Sequence, residues 1–493
     1  MSTNESTEMT GRAEPYRYGV GRVFRLSGIY AVGSILDRVI AFLLIPLYTS
    51  YLGITEYGVV GLMMVLVGLA TNLVGPPIAS GFVRYYFAPE YRRLQGVLLF
   101  GCLLLIASGG VILGCVVLLS RHLLAGVLLQ DSDLATLVDV YAMFVFVSPL
   151  ASFSMTFLQQ TERARYFVLV ALLRVLVSTA VTVFALVHWQ AGVYALALGM
   201  VSGAIFDFAA VLPVLVQHME PRFSLQVLAP PLAYGYCGIL NGFSQLLIQS
   251  ADRYILRFFS TLSTVGVYSF GYGIAGVMQM LVSIPLKRAL SPIVLKQEES
   301  PDELRSFLAS TCTYFYLAAM WLWLGLALFS REAVEILARR QEFWDSWRIV
   351  PVVGFAYLQH ALGCFFGWGI VMAKKPLRIS ANVCIAAATN IILNFILIPD
   401  YGVMGAAVAT MISLVIWNVL KLYYSAKYYG LHFELLKLSY ITAVGGGLYA
   451  CCHVATHDMT IVPRLAWKLP TMVLYWVVLV GPAILKKRVS TAP

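Results

Sequence analysis

The sequence predicts an all-α polytopic membrane protein of about 14 transmembrane helices, arranged as two repeat-related six-helix bundles around a central cavity plus two C-terminal helices. Three observations point there. First, 60% of the 493 residues are hydrophobic and 12% are charged. That is about half the charge of an ordinary soluble domain, too little polar sequence to coat a water-soluble core. Second, apolar stretches of about 20 residues, the length a helix needs to cross hydrocarbon, recur along nearly the whole chain. Third, the two halves carry charged, glycine and proline residues in the same order.

Residues 1–25 are polar and basic, without the apolar core of a cleavable leader, and read as a cytoplasmic tail. Six candidate spans, near 26–48, 57–80, 96–119, 136–158, 166–188 and 192–216, make a first bundle over 26–216. A basic cytoplasmic linker is expected over 217–232. Six more, near 233–256, 264–286, 306–330, 348–372, 379–398 and 402–424, make a second bundle over 233–430. Two further spans, near 438–456 and 466–485, and a basic tail fill 431–493.

With these spans, 23 of the 34 Lys and Arg residues fall on one side of the membrane, 8 on the other and 3 inside spans. Basic loops stay cytoplasmic, so both termini are expected there. This distribution accounts for the net charge of +10 without nucleic acid. The far-side loops are short, and the longest, about 331–347, has room for one interfacial helix. No extramembrane domain is left to hold an active site. The eight cysteines lack CxxC spacing and read as small core residues.

The internal repeat is visible in four matches. ILDRVIAFLL in the first span aligns Asp37-Arg38 with Asp252-Arg253 of SADRYILRFF in the seventh. TEYGVVGL around Gly58 matches TVGVYSF around Gly266. LVGPPIASGFVRYY resembles LVSIPLKRALSPIV, aligning Pro77 with Pro285. WQAGVYALALGMVSG joins the fifth and sixth spans as PDYGVMGAAVATMIS joins the eleventh and twelfth. Each bundle has an even number of spans, so the repeats run parallel and relate by a pseudo-two-fold along the membrane normal, the plan of alternating-access carriers.

LIPLYTSYLGITEYGVVGL (44–62) resembles the first hairpin of bacterial oligosaccharide flippases, the polysaccharide-exporter branch of the multidrug/oligosaccharidyl-lipid/polysaccharide superfamily. NFILIPDYGVMGAAVATMIS (394–413) resembles the signature between their eleventh and twelfth helices, and SADRYILRFFSTLSTVGVYSF (250–270) is similar to the start of their second bundle. The resemblance covers roughly residues 20–430. It implies a transporter, not an enzyme, in the cell inner membrane. Its cargo would be a polyprenyl-pyrophosphate-linked oligosaccharide, moved to the periplasmic leaflet during surface polysaccharide synthesis (O-antigen, capsule or exopolysaccharide). The implied partners are lipid-linked oligosaccharide, membrane lipids, a polysaccharide polymerase with its chain-length machinery, and H+ or Na+ as coupling ion, with no cofactor. The sequence has no GxxxxGKS/T nucleotide loop, in keeping with an ion gradient as the driving force.

A charge near mid-span costs about 2.5–3.5 kcal/mol on insertion scales and so turns toward protein or water. Asp37, Arg38, Arg174, Asp207, Asp252 and Arg253 are so placed. Neighbours on a helix diverge by about 100°, so each member of the two Asp-Arg pairs needs its own partner. Either these charges pair across helices and fix the bundles, or Arg38 and Arg253 line the cavity as pyrophosphate ligands. Arg174 faces the cavity or pairs with Asp207. Arg84, Lys287 and Arg288, at the cytoplasmic ends of spans 2 and 8, either anchor those helices or form a basic vestibule for substrate.

Asp207, Asp37 and Asp252 are the ion-coupling candidates, while Asp139 near a span end is interfacial. Pro76-Pro77, Pro149, Pro285 and Pro351 are expected to bend their spans. His453 and His457 have metal-ligand spacing, but at a span end an interfacial rim is the simpler role, and no metal is assigned. Two other functions stay open. A drug antiporter of the same superfamily calls for an acidic cavity; a membrane glycan polymerase calls for a sizeable outer loop. Mixed mid-span charges and short outer loops favour the flippase.

Overall fold

The computed structural model describes residues 40, 42–161, 163–296, 301–456, 459 and 461–489. Asp37, Arg38, His457 and the Arg288 side chain lie outside the described residues. Among the described residues the chain is helical, without strands. The first half comprises α1 (Ile45–Tyr51), which ends the first expected span, then α2 (Ile54–Tyr85), α3 (Gln95–Leu119), α4 (Ala135–Gln160), α5 (Ala164–Val187) and α6 (Val193–His218). The second runs through α7 (Leu225–Cys237), α8 (Ile239–Phe259), α9 (Leu262–Met278), α10 (Ile284–Lys296) and α11 (Pro301–Leu328). It continues with α12 (Ser330–Leu337), α13 (Val350–Phe366), α14 (Trp368–Met372) and α15 (Pro376–Tyr429); α16 (Leu435–Thr456) and α17 (Ile461–Val489) follow.

Ten helices among the described residues are long and apolar enough to cross a membrane. One, α15, has 54 residues but folds back at Gly402 (φ 52°, ψ −128°), so it supplies two spans. Asn390 and Thr410 hydrogen-bond across that fold-back. With the interrupted α7–α8 pair and α17, the described residues supply thirteen of the fourteen expected spans; most of the first, near 26–48, lies outside the described residues. Gly192, matched to Gly402 by the repeat, has φ 51° and ψ −129°. An L side chain disfavours that backbone. The repeat therefore extends to backbone geometry.

In the first bundle α4 packs on α2, α3 and α6, and α5 on α6. In the second, α15 packs on α8, α13 and α14, and α11 on α13, while α16 and α17 close against α11. The bundles meet along α2, which packs on both α9 and α7. A Cβ on Gly58 would sit 2.1 Å from the Leu262 carbonyl oxygen, and one on Gly266 would sit 1.9 Å from that of Ile54. The contact is reciprocal because the two segments are repeat mates. Nearer the other end of α2, a Cβ on Gly81 would meet the Pro231 carbonyl oxygen at 2.1 Å, and one on Gly235 that of Pro77 at 1.9 Å. Glycines at these points let the backbones touch, as helix pairs in lipid require.

Three expectations change. The linker expected over 217–232 is non-helical only over 219–224, because Leu225 opens a helix whose Leu228 and Pro231 are buried. The seventh span is not continuous: it breaks at Gly238, so α7 lies on α2 and α3 while α8 stays against α15. Span eight deviates through a π-helical turn, Gln279–Ser283, just before Pro285, whereas α2 and α4 remain helical through Pro76-Pro77 and Pro149. The longest outer loop holds α12 and a 3-10 segment, Gln341–Arg348, in keeping with one interfacial helix.

Gly58→Val and Gly266→Val should each lower thermal stability in detergent by the equivalent of about 1–3 kcal/mol. Both force the same two backbones apart, so the double variant should lose less than the sum. Additive losses would contradict the reciprocal contact.

Candidate functional site

Asp252 on α8 is fully buried. Its Oδ2 accepts from the Tyr268 hydroxyl of α9 at 2.5 Å and from the Thr410 hydroxyl of α15 at 3.4 Å. Its Oδ1 accepts from the Arg253 backbone N–H at 2.8 Å. Arg253 does not find the separate partner expected of it. Its Nη1 lies 3.7 Å from Asp252 Oδ1 and donates to the Gln249 carbonyl at 2.9 Å. The guanidinium rests 4.5 Å over the Tyr272 ring. A long arginine can curl back along its own helix, which is how the pair overcomes the angular divergence of adjacent positions. With 13% of its side chain exposed, Arg253 braces α8 against α9.

The polar chain continues into α15. Thr410 accepts from Asn390 Nδ2 at 3.4 Å, and Asn390 Oδ1 accepts from Asn394 Nδ2 at 3.0 Å. Asn394 Oδ1 has no hydrogen-bond partner, and both asparagines are fully buried. A carboxylate, two amide oxygens and two hydroxyls are thus linked inside one bundle.

Two adjoining cavities, of about 10 and 300 Å³, share Gln245, His360 and Trp417. The larger is walled by Lys287, Lys421 and Asn382, and no carboxylate lines it among the described residues. Lys421 Nζ sits 3.4 Å from the Trp417 ring centroid. Asn382 is 1% exposed, and neither atom of its amide has a hydrogen-bond partner; the same holds for Trp417 Nε1 and His360 Nδ1. The chamber therefore presents positive charge and unused hydrogen-bonding groups.

The remaining candidates are dispersed. Arg174 Nε pairs with Asp207 Oδ2 at 3.3 Å between α5 and α6, and Asp207 is buried. Arg84 is exposed and lines, with Ser80 and Tyr234, an open recess of about 480 Å³ at the α2–α7 junction. Lys287 shares its chamber with Lys421 instead. Asp139 pairs with Arg121 at 3.0 Å. His453 stacks on Tyr449 and contacts Trp347.

Sequence reasoning does not single out Tyr268, Asn382, Asn390, Asn394 or Thr410, and it counts Lys421 as a cytoplasmic anchor, although the residue lies within α15 at the chamber wall. For the asparagines a signal exists: TNIILNF places two of them four apart, on one face of an apolar helix.

Two repeat-related helical bundles with their polar groups gathered between helices define a multi-pass membrane protein. The chain belongs to the polysaccharide biosynthesis protein family, whose sequence profile matches residues 51–346. This agrees with the resemblance to polysaccharide exporters. It is 25% identical over 193 residues to the probable low-salt glycan biosynthesis flippase Agl15 of Haloferax volcanii, covering 39% of this chain and 40% of that protein. It is 23% identical over 239 residues to the probable flippase AglR of the same organism, covering 48% and 50%. The chain thus spans half or less of the length of these curated relatives. Its fold matches the lipid II flippase MurJ in an inward closed conformation with a TM-score of 0.76 (13% identity, 94% of this chain and 100% of that chain). It also matches an inward-facing multidrug resistance MATE family transporter with a TM-score of 0.67 (12% identity, 80% and 94%).

Tyr268→Phe removes the shorter side-chain donor from a buried carboxylate and should lower thermal stability by the equivalent of about 1–3 kcal/mol. Thr410→Val, which removes the longer bond, should cost less. An unchanged melting temperature for Tyr268→Phe contradicts this reading.

Proposed function

We propose that this protein is a transporter that flips a polyprenyl-pyrophosphate-linked oligosaccharide from the cytoplasmic to the periplasmic leaflet, by ion-coupled alternating access, during surface polysaccharide synthesis. The observation that carries this reading is the chamber of about 300 Å³ walled by Lys287, Lys421 and the Asn382 amide, with no carboxylate among the described residues of its wall. A pyrophosphate bears several negative charges and leaves water readily only for charge-assisted hydrogen bonds in compensation. Two lysines and unused amide donors offer that, whereas an organic cation finds nothing there to balance it. The flippase names of the curated relatives support the same cargo class.

In this reading Arg84 and Arg288 add positive charge at the expected cytoplasmic end and raise the local concentration of an anionic lipid. Arg253 and Arg174, engaged by Asp252 and Asp207, hold helices together. Arg38 remains the first bundle's pyrophosphate candidate, beside Asp37.

α2 touches the second bundle near both ends. Opening toward one leaflet parts the Gly58–Gly266 contact, and opening toward the other parts the Gly81–Gly235 contact. These are the two gates. Among Asp252, Asp207 and Asp37, the favoured coupling carboxylate is Asp252, because hydroxyl and amide oxygens suited to H+ or Na+ surround it. Ion binding there would change how α8, α9 and α15 hold one another, and α8 and α15 also wall the chamber.

The double variant Lys287→Gln/Lys421→Gln, at normal protein level, should cut surface polysaccharide by at least about tenfold, a loss of roughly 1.4 kcal/mol in transition-state binding. Lipid-linked repeat units should accumulate in the cytoplasmic leaflet. Wild-type leaflet distribution in that variant would sink the proposal.

A further inference from the structure

A separate cluster of charge lies where the hairpin α16–α17 meets the α11–α12 corner. Glu332 of α12 is 8% exposed and faces two buried cations of α17, Arg464 (6%) and Lys468 (5%). Lys468 Nζ donates to both Glu332 oxygens at 2.7 Å. Arg464 Nη1 stands 3.5 Å from Oε1. Its Nη2 donates to the Met459 carbonyl at 2.7 Å, while Nε and Nη1 have no hydrogen-bond partner. One carboxylate therefore serves two cations. The neighbouring Arg331 is balanced by Glu335 at 2.9 Å. Among the described residues a positive charge is left in excess in a buried place, where its desolvation is costly.

A cleft of about 60 Å³ adjoins this cluster. Arg331, Arg464, Lys468, Ser330 and Thr456 line it, with no carboxylate among the described residues of its wall. Trp347 and Tyr449 flank it, and such aromatics mark the depth at which lipid headgroups lie.

We propose that this cleft binds a phosphate group, carried by a phospholipid headgroup or free in solution, whose negative charge balances Arg464 and clamps α16–α17 to the second bundle. The site is distinct from the lysine chamber and stands whatever cargo the protein carries.

The test uses the full-length protein purified in detergent. Native mass spectrometry reads retention of phosphatidylglycerol, with diacylglycerol as the phosphate-free control, and thermal unfolding reads the effect of inorganic phosphate. Wild type should hold phosphatidylglycerol in preference to diacylglycerol, and Arg464→Gln should weaken that by at least about tenfold. Glu332→Gln, which removes the competing carboxylate, should bind more tightly than wild type, and it decides the matter if Arg464→Gln fails to fold. Retention of the lipid without stabilisation by phosphate identifies the headgroup as ligand. Phosphate stabilisation that Arg464→Gln abolishes, without lipid retention, identifies the free anion. Binding of neither probe, unchanged binding in folded Arg464→Gln, or unchanged or weaker binding in Glu332→Gln overturns the proposal.

Discussion

An ionisable carboxylate inside a lipid-embedded bundle must find polar partners within the protein, and Asp252 is where that requirement shapes the most structure. It draws the Tyr268 hydroxyl from α9 and the Thr410 hydroxyl from α15, while Arg253 folds back beside it and rests on Tyr272. Three helices are thereby tied at one depth. The same helices carry Gln245 and Gln249 past the smaller cavity and Lys421 to the wall of the larger one. The polar interior of the second bundle is organised outward from this carboxylate.

Against that internally tied bundle, the interface with the first joins backbone contacts to side-chain packing, as where Tyr57 meets Phe270 edge-on at 5.5 Å. Glycine on both sides of each contact near the two ends of α2 lets the backbones touch, and between them the Tyr254 hydroxyl donates to the Leu62 carbonyl at 3.2 Å. Ile54, Leu62 and Met63 of α2 share one buried apolar core with Leu256, Val265 and Phe270 of the second bundle, so parting the bundles exposes apolar side chains.

Much of this was legible in the chain. Hydropathy and the order of the repeat pointed to fourteen spans, and the matches Gly58 with Gly266 and Gly192 with Gly402 proved to be matches of contact and of backbone conformation. What stayed hidden depends on tertiary proximity. Thr410 lies 158 residues from Asp252, and no local pattern links them. Lys421 escaped because a cation near a span end reads as an interfacial anchor, although a neighbouring Trp417 and the fold-back of α15 turn it inward. The break at Gly238 follows a Pro-Pro-rich, Gly-rich stretch that reads equally well as a linker, and only its packing on α2 makes it a helix of the bundle interface.

The central claim, that a lipid-linked anionic glycan crosses the membrane through this protein under an ion gradient, is tested most directly in liposomes. Purified protein would be reconstituted with a fluorescent polyprenyl-pyrophosphate oligosaccharide, and leaflet exchange read by a membrane-impermeant quencher with and without an imposed H+ or Na+ gradient. The account predicts protein-dependent exchange that one of the two gradients accelerates in wild type and fails to accelerate in Asp252→Asn. Exchange no faster than in protein-free liposomes, or a gradient response that survives Asp252→Asn, would contradict it.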